Sequence, residues 1–182
     1  MSKEEKTNSD EDKETVDGVS AEEVAAFRKK LNLRVRHIQN VQNAALLLAD
    51  RLAELGEFDL ARRLVQRSLR HDSSKFEGIE WDFLDISPTD RKNRSDLRLA
   101  IHQHQQCNDH HPEYFSSGAH DMSRVQIAEM VCDWKARSEE FGSSLVDWVK
   151  DVACEKYGFT VRSKVYHKIK FFLDLLLDPR IG

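Results

Sequence analysis

The feature that most constrains the fold is a stripe of apolar residues in the first third of the chain. Its members are Val35, Ile38, Val41, Ala45, Leu48 and Leu52. They recur at steps of three and four residues, which is the spacing of one face of an α-helix. The pattern predicts a helix from about Ala21 to Leu55, which starts after a capping box formed by Ser20 and Glu23 and is ended by Gly56. A long helix with one apolar face needs other helices to cover that face.

The remainder of the chain shows the same periodicity. Further helices are predicted at about 58–71, 89–106, 123–138 and 162–177, with a short helix or turn at 77–85 and a helix from Ser143 or Ser144 to about 157. Residues 108–121 are predicted to be irregular because they include Pro112 and Gly118. No segment alternates with a period of two, and 7 Gly and 3 Pro are few for a many-turned β protein. The sequence therefore predicts an all-α bundle of about seven helices.

Charge and length divide the chain into a tail and one domain. The formal net charge of -4 arises within residues 1–19, where acids outnumber lysines, so this segment is predicted to be a disordered polar tail. Residues 20–182 are predicted to form a single all-α domain. Because that part is balanced in charge, it gives no strong signal for nucleic-acid binding.

Three cysteines without a CxxC motif fit reduced thiols. No signal peptide and no run of membrane-spanning length is visible. We expect a soluble cytoplasmic protein, monomeric or homodimeric, that does not bind membranes.

The chemistry of the chain centres on the pair His71-Asp72, which is followed by Lys75. An adjacent imidazole and carboxylate can both reach one divalent cation. The pair is predicted at the C-terminal end of a helix, where a helical path would bring Lys75 one turn beyond it. The lysine would then point at whatever the cation holds.

Two residues far from this pair could complete a metal site. His37 lies between apolar residues in the first helix, although, taken alone, it is better explained as a part-buried histidine bonded to a carbonyl. Asp133 lies in an apolar helical stretch, where an unpaired carboxylate is costly. The alternative partner for Asp133 is Arg137, four residues later on the helix surface.

A histidine-rich segment lies between the His71-Asp72 pair and Asp133 in the sequence and contains His102, His104, His110 and His111. His102 and His104 are two residues apart on a helix, so one of them is expected to face inward. His110 and His111 leave the helix before Pro112. The segment suits a second metal position or a phosphate pocket, and the alternative is a polar loop with incidental histidines.

The order His37, His71-Asp72, Asp133 in an all-α context resembles the ligand pattern of the HD-domain superfamily of metal-dependent phosphohydrolases. The chain is similar, more closely, to an uncharacterised HD-like family with His-Asp-x-Ser-Lys-Phe, Asn-x-His-His-Pro-Glu and Glu-Met-x-x-Asp-Trp segments. Here these are residues 71–76, 108–113 and 129–134. The resemblance implies an HD-domain-like bundle that holds one or two divalent transition metal ions (Mn, Fe, Co or Zn).

Roles for individual residues follow from that resemblance. The metal ligands it implies are His37, His71, Asp72 and Asp133, with His104 and one of His110 and His111 at a second position. Asp72, as the expected bridging ligand, and Lys75 are the predicted catalytic residues. Lys75, Arg137, His111 and, more weakly, Arg36 are the predicted contacts to a small phosphorylated substrate.

Three functions compete on this basis. The first is a metal-dependent phosphohydrolase that acts on a nucleotide or another small phosphate ester. The second is a di-iron oxygenase resembling the inositol-oxygenase branch of the superfamily. The third is a non-enzymatic binding or adaptor protein that retains the scaffold. The aromatic residues Trp134, Phe141, Trp148, Phe171 and Phe172 are predicted to belong to the core rather than to a base-stacking platform.

Overall fold

Seven helices make up the part of the chain that the structure describes, which is residues 18–84 and 91–178 of a computed structural model. They are α1 (Ala21–Glu54), α2 (Phe58–Ser68), α3 (Gly78–Phe83), α4 (Arg94–Cys107), α5 (Arg124–Phe141), α6 (residues 145–156) and α7 (Lys164–Leu176). Within α6, the segment Val149–Ala153 has π-helical hydrogen bonding. No β-strand occurs in the two described stretches. The predicted all-α fold of about seven helices is confirmed.

The described residues fall into two compact units whose boundary lies between Leu33 and Arg34. In the first unit, the predicted capping box opens α1: Ser20 N donates to Glu23 Oε2 (2.7 Å), and Glu23 N donates to Ser20 Oγ (3.2 Å). The predicted disordered tail, 1–19, lies outside the described residues except for its last two. The single domain at 20–182 stays a prediction. All the features below belong to the second unit.

The inward face of α1 in the second unit is apolar at one end and polar at the other. Of the predicted stripe, Val41, Ala45, Leu48 and Leu52 are buried and Ile38 is partly buried. One and two turns earlier on the same face stand His37 and Arg34, which are 4% and 3% exposed. Val35 is 47% exposed, so its predicted place in the buried stripe is wrong. His37 and Arg34 both contact residues of the candidate metal centre, which is described below.

The central element of the second unit is α5, which packs against both α2 and α7. Eleven of its 18 residues are buried. From α7, Ile169 and Phe172 join the same core with no exposed surface. Because α5 is covered by its neighbours, its acidic residues Glu129 and Asp133 lie inside the protein, where a carboxylate needs a compensating partner. None of the helices in the described stretches is long and apolar enough to cross a bilayer.

The end of α2 differs from the prediction. The helix stops at Ser68, three residues before His71. The chain then turns, and Asp72 adopts a left-handed conformation with φ 54° and ψ 23°. Aspartate accepts this conformation more readily than most residues, and a left-handed residue cannot continue a right-handed helix. A single 3₁₀ turn, Ser73–Phe76, follows. The His-Asp pair therefore lies on a tight reversal of the chain.

Two other helix ends differ from the prediction. The predicted start of α4, near residue 89, lies outside the described residues. Residues 91–93 are described and are not helical, and the helix begins at Arg94. The predicted end of α5 was Ser138, whereas the helix runs to Phe141 and is ended by Gly142 at φ 63°. Glycine takes this left-handed position without a steric penalty, which sets the helix end there.

The connecting segments agree better with the sequence. Ser144, one of the two predicted caps, accepts a hydrogen bond from Asp147 N (3.3 Å) at the start of α6. Residues 108–121 are irregular as predicted, with two short 3₁₀ turns, Pro112–Tyr114 and Gly118–His120.

The aromatic residues that were predicted for the core divide into three groups. Phe172 and Trp134 are buried, in agreement with the prediction. Trp148 and Phe171 are half-buried against the core. Phe141 is 76% exposed, so the prediction is wrong for it. It is the last residue of α5.

Candidate metal centre

Arg34 on α1 holds the segment that follows the His-Asp pair. Its guanidinium donates hydrogen bonds to the backbone carbonyl oxygens of Lys75, Glu80 (2.9 Å) and Trp81 (3.0 Å). A guanidinium has several N–H donors in a fixed fork, so one side chain can satisfy carbonyls from both the 3₁₀ turn and α3. Sequence reasoning missed Arg34 because nothing in its immediate neighbourhood distinguishes it from a surface arginine.

Around the tight reversal, three side chains from three elements form the first group of possible metal ligands: His37 from α1, His71 from the reversal and Asp133 from α5. His37 Nε2 lies 3.1 Å from Asp133 Oδ1, and His71 Nε2 lies 4.0 Å from the same oxygen. Asp72 Oδ2 faces the same place, 3.5 Å from His37 Nε2 and 3.4 Å from His71 Nε2. We call this the first position.

A second group lies on the other oxygen of Asp72 and combines Asp72 with His104, His110 and His111. Asp72 Oδ1 is 3.4 Å from His104 Nε2 and 3.4 Å from His110 Nε2. His111 Nε2 lies 3.0 Å from His104 Nε2. We call this the second position, and the Asp72 carboxylate lies between the two.

The seven predicted ligands are thus brought together by the fold. Of the two histidines on α4, His104 is buried and His102 is exposed, as expected for neighbours two residues apart. The sequence left open which of His110 and His111 would belong to the second position, and the structure places both there. The predicted alternative for Asp133, an ion pair with Arg137, is replaced by the contact with His37, and Arg137 pairs with Glu140 (3.2 Å) instead.

Carboxylates that the sequence did not single out contact the outer nitrogens of these histidines. Glu140 Oε1 lies 2.9 Å from His37 Nδ1, and Glu80 Oε2 lies 2.8 Å from His104 Nδ1. Glu129 Oε1 lies 3.1 Å from His71 Nδ1. An acidic partner accepts a hydrogen bond from Nδ1 and fixes the orientation of the ring. Nε2 is then the nitrogen whose lone pair faces the centre, as is usual for metal-binding histidines.

These glutamates gave little signal in the sequence. Glu129 stands four residues before Asp133 on the buried face of α5, and that spacing could have revealed it. Glu80 belongs to a six-residue helix, and Glu140 lies in the last turn of α5. Nothing local distinguishes either from a glutamate on a surface.

The inward-facing atoms lack ordinary partners. Five of them are buried and make no hydrogen bond of good geometry with a described residue, although His37 Nε2 and Asp133 Oδ1 lie 3.1 Å apart: His37 Nε2, His71 Nε2, Asp72 Oδ1, His110 Nε2 and Asp133 Oδ1. Each unsatisfied buried polar atom costs about 1–3 kcal/mol, so such a concentration is rare in native proteins without a bound species. Imidazole nitrogens and carboxylate oxygens are the donors that divalent transition metals accept. The residues therefore fit a metal ion and could hold one.

The buried carboxylates make the site electrostatically favourable for positive charge. Burial opposes a proton on His71, but the carboxylates of Asp72, Glu129 and Asp133 outweigh it and raise the pKa of His71 to about 10. Burial likewise opposes a charge on Asp72, and the positive charges of His71 and Lys75 outweigh it, so that the pKa of Asp72 lies well below its usual range.

His111 behaves in the opposite way. Burial and then the neighbouring charge of His110 lower the pKa of His111 to about 3, so its imidazole is neutral at physiological pH. A neutral imidazole has a lone pair to offer, which is the form that binds metal. The second position therefore contains a histidine that is ready to act as a ligand.

Two cavities approach the centre. The smaller, about 350 Å³, is lined by the ligand residues His104, His111 and Asp133, by the aromatic side chains Trp134, Phe141, Trp148 and Tyr157, and by the cationic side chains Arg137 and Lys156. We call it the aromatic cleft. The larger, about 700 Å³, is lined by Arg63, Arg67, Arg70, His71, His110 and Glu129. We call it the arginine cavity.

The centre is more open to the aromatic cleft than to the arginine cavity. The side chains of Asp133 and His104, which line the cleft, are 12% and 10% exposed. Those of His71 and His110, which line the arginine cavity, are 0% and 3% exposed. A small molecule would therefore reach the ligands from the cleft.

The three basic residues predicted to contact a substrate lie in different places. Lys75 is buried, and its ammonium donates to Asp72 Oδ2 beside the first position. Arg137 lines the aromatic cleft. Arg36 is exposed on α1 and lines neither cavity.

The fold and the site together describe an all-α protein with a buried cluster of His and Asp residues that could hold metal. Residues 28–174 match a family of unknown function (DUF5662), and the chain belongs to that family. Comparison with curated proteins and with solved structures gave no match.

Proposed function

We propose that this protein is a metal-dependent phosphohydrolase that acts on a nucleotide or another small phosphate ester. The observation that carries the proposal is the division of the Asp72 carboxylate between two sets of imidazole nitrogens. Its Oδ2 oxygen faces His37 and His71, and its Oδ1 oxygen faces His104 and His110. A carboxylate in this position is suited to bridge two divalent ions, the arrangement found in many enzymes that hydrolyse phosphate esters.

The donor set supports a transition metal rather than a hard ion. Histidine nitrogens with a few carboxylate oxygens suit Mn, Fe, Co or Zn. When bound, such ions lower the pKa of a water molecule and polarise a phosphoryl oxygen. The ligand order along the chain supports membership of the HD-domain superfamily, in which phosphohydrolysis is the common reaction.

The aromatic cleft supports a substrate with an anionic end and a flat apolar part. Trp134 and Tyr157 are nearly parallel, with ring centroids 5.8 Å apart and an interplanar angle of 10°. Trp148 meets Trp134 edge to face at 4.9 Å. Arg137 and Lys156 line the same cleft and could neutralise phosphate oxygens. A nucleotide has both parts, so it fits the proposal.

Lys75 would complete the phosphate contacts. Its ammonium lies on Asp72 Oδ2, directly beside the first position. Once other positive charge neutralises Asp72, the lysine can turn to a phosphoryl oxygen and stabilise the charge that develops there during hydrolysis. His111 lines the cleft, and when one of its ring nitrogens binds metal, the N–H of the other can donate a hydrogen bond to the substrate.

The test combines metal analysis with a hydrolysis screen. The full-length protein is loaded anaerobically with Mn(II), Fe(II), Co(II) or Zn(II), and phosphate release is measured from nucleotides and simple phosphate esters. We expect one or two ions per chain and metal-dependent release of phosphate, which His71→Ala abolishes. His102→Ala is the matched control, because His102 is exposed on α4.

Two results would overturn the proposal. A wild-type chain that binds no transition metal would favour a binding or adaptor role. A chain that binds iron, takes up oxygen and releases no phosphate would be an oxygenase instead.

A further inference from the structure

Glu129 differs from the other two glutamates that contact the histidines. Its Oε1 oxygen lies 3.1 Å from His71 Nδ1, within hydrogen-bond distance, and 3.6 Å from His110 Nδ1, which is an ion-pair contact but too long for a hydrogen bond. His71 belongs to the first position and His110 to the second. Glu140 contacts a histidine of the first position alone, and Glu80 contacts a histidine of the second alone.

We propose that Glu129 is a positioning carboxylate shared by the two metal positions, because one of its oxygens orients a histidine of each. This inference rests on the metal centre of the proposed function and adds a residue outside the ligand set. The two rings it serves pack against each other with centroids 4.3 Å apart. A displacement of Glu129 would therefore disturb both rings together.

Arg67 holds Glu129 in this role. Arg67 Nε donates to Glu129 Oε2 (2.5 Å), and the rest of its guanidinium pairs with Asp109. Since Oε2 is occupied by the arginine, Oε1 is the oxygen that remains for the histidines. Glu129 itself is 2% exposed, so water does not compete strongly for it.

The geometry argues against Glu129 as a metal ligand of its own. Glu129 forms a group with His71 and His110 that is close enough to surround an ion. However, the Nε2 atoms of both histidines face Asp72, at 3.4 Å each, and their Nδ1 atoms face Glu129. A cation, the Arg67 guanidinium, already neutralises the carboxylate. Glu129 therefore acts on metal through the histidines.

The experiment compares three isosteric variants of the full-length chain: Glu129→Gln, Glu140→Gln and Glu80→Gln. Zn(II) binding is measured by competition with a chelator of known affinity, and the two stepwise binding constants are multiplied. Loss of an outer carboxylate weakens metal binding about 10- to 100-fold at each position it serves. We expect the product to fall by one such factor in Glu140→Gln and Glu80→Gln. In Glu129→Gln the product should fall by more than this factor, because both positions are weakened, and by at most its square, roughly 10,000-fold. The smaller share belongs to His110, since its contact with Glu129 is the longer of the two.

A second variant covers a failure of Glu129→Gln to fold. Glu129→Asp keeps the negative charge beside Arg67 but shortens the side chain, which withdraws the oxygen from both imidazoles. It should show the same two-position loss, with a circular dichroism spectrum like that of the wild type.

Four results would overturn the inference, and they can be told apart. If Glu129 variants lose no more than the other two variants, Glu129 is not shared, and the proposed function stands. If Glu129→Gln removes a third ion and leaves two unchanged, Glu129 is a ligand. If the wild type binds one ion, there is no second position to share, and if it binds none, the proposed function fails as well.

Discussion

The ammonium group of Lys75 donates a hydrogen bond to Asp72 Oδ2, the carboxylate oxygen that also faces His37 and His71. A lysine three residues after the aspartate thus neutralises the same oxygen that a metal ion would use. The Lys75 ammonium and a metal ion would compete for this oxygen, so each would weaken the interaction of the other with it. Under the proposed function, loss of the lysine is expected to strengthen metal binding and to slow hydrolysis.

Lys75→Met separates these two effects. Methionine fills a similar volume without the charge, so packing is largely kept. We expect tighter metal binding, since the competing ammonium is gone, and a fall in kcat of about 10²–10³-fold, since a donor to the phosphoryl group is lost. Metal affinity and steady-state kinetics would measure the two effects. Arg36→Met is the control and should change neither. Weaker metal binding in Lys75→Met would mean that the lysine supports the site instead of competing for it.

Asp72→Asn tests whether one carboxylate serves both positions. Asparagine also tolerates the left-handed conformation at this residue, so the substitution adds no backbone strain. We expect Asp72→Asn to lose metal from both positions, and Asp133→Asn to lose it from the first position alone. Metal content per chain after desalting, with loading at a fixed excess of Zn(II), would distinguish them. A full second position in Asp72→Asn would show that Asp72 does not bridge.

Local sequence signals were enough to predict most of the helices, whereas the set of metal ligands was implied by the family resemblance and stays a prediction. Apolar periodicity depends on neighbours three and four residues away, and it located α1, α4 and α5 to within a few residues, apart from the start of α4. Asp133 could be singled out because a carboxylate in an apolar helical stretch is costly without a partner. His37, taken alone, resembled a structural histidine, and only the resemblance to HD-domain proteins suggested it as a ligand.

What the sequence could not reveal depends on packing between distant elements. Glu80 and Glu140 are glutamates of ordinary helical segments, and only the approach of other elements makes them partners of histidines. The reversal at Asp72 was also hidden, because the end of α2 depends on one left-handed residue rather than on periodicity. Phe141 was misplaced because burial at a helix end depends on where the neighbouring helices stop.

Arg137→Gln tests the aromatic cleft as the substrate site. Arg137 lines the cleft and is 45% exposed, so its contact with a phosphate is partly screened by water. We expect KM for the phosphate ester to rise about tenfold, the value of one charge-assisted hydrogen bond at such a site, with metal content unchanged. Arg124→Gln, at the other end of α5, removes an exposed pair with Glu57 and is the control. Equal effects of both variants would place the substrate elsewhere.

Tyr157 should lose its phenolic proton at a higher pH than an ordinary tyrosine. Burial and then the charges of Glu113 and Asp133 raise the pKa of Tyr157 above its usual value of 10.0. Because the folded state holds the phenolic proton more tightly than the unfolded state, the linked stability is fully present below pH 10 and is lost as the pH rises beyond it. Absorbance at the phenolate band during a pH titration should show one fewer late-titrating tyrosine in Tyr157→Phe. An unchanged titration curve would contradict the assignment.

Cys132 offers a readout of metal binding that needs no substrate. It is fully buried in α5, and burial, followed by the charges of Glu129 and Asp133, raises the pKa of its thiol well above the ordinary value. A thiol reagent at neutral pH should therefore modify exposed Cys107 at once and Cys132 only when α5 is uncovered. Since α5 is the central helix, that opening approaches global unfolding.

Metal should slow the labelling of Cys132 in a Cys107→Ser background. An ion that binds only the folded state lowers the population of open molecules by the factor 1 + [M]/Kd, so at 100 times Kd the labelling rate should fall about 100-fold. The rate is measured by mass spectrometry with and without Zn(II). In His71→Ala the protection should be much smaller, because a ligand of the first position is missing. If Cys132 reacts as fast as Cys107 does in the unsubstituted chain, or if metal leaves the labelling rate of Cys132 unchanged when all the ligands are present, the buried centre does not bind the ion in the folded state.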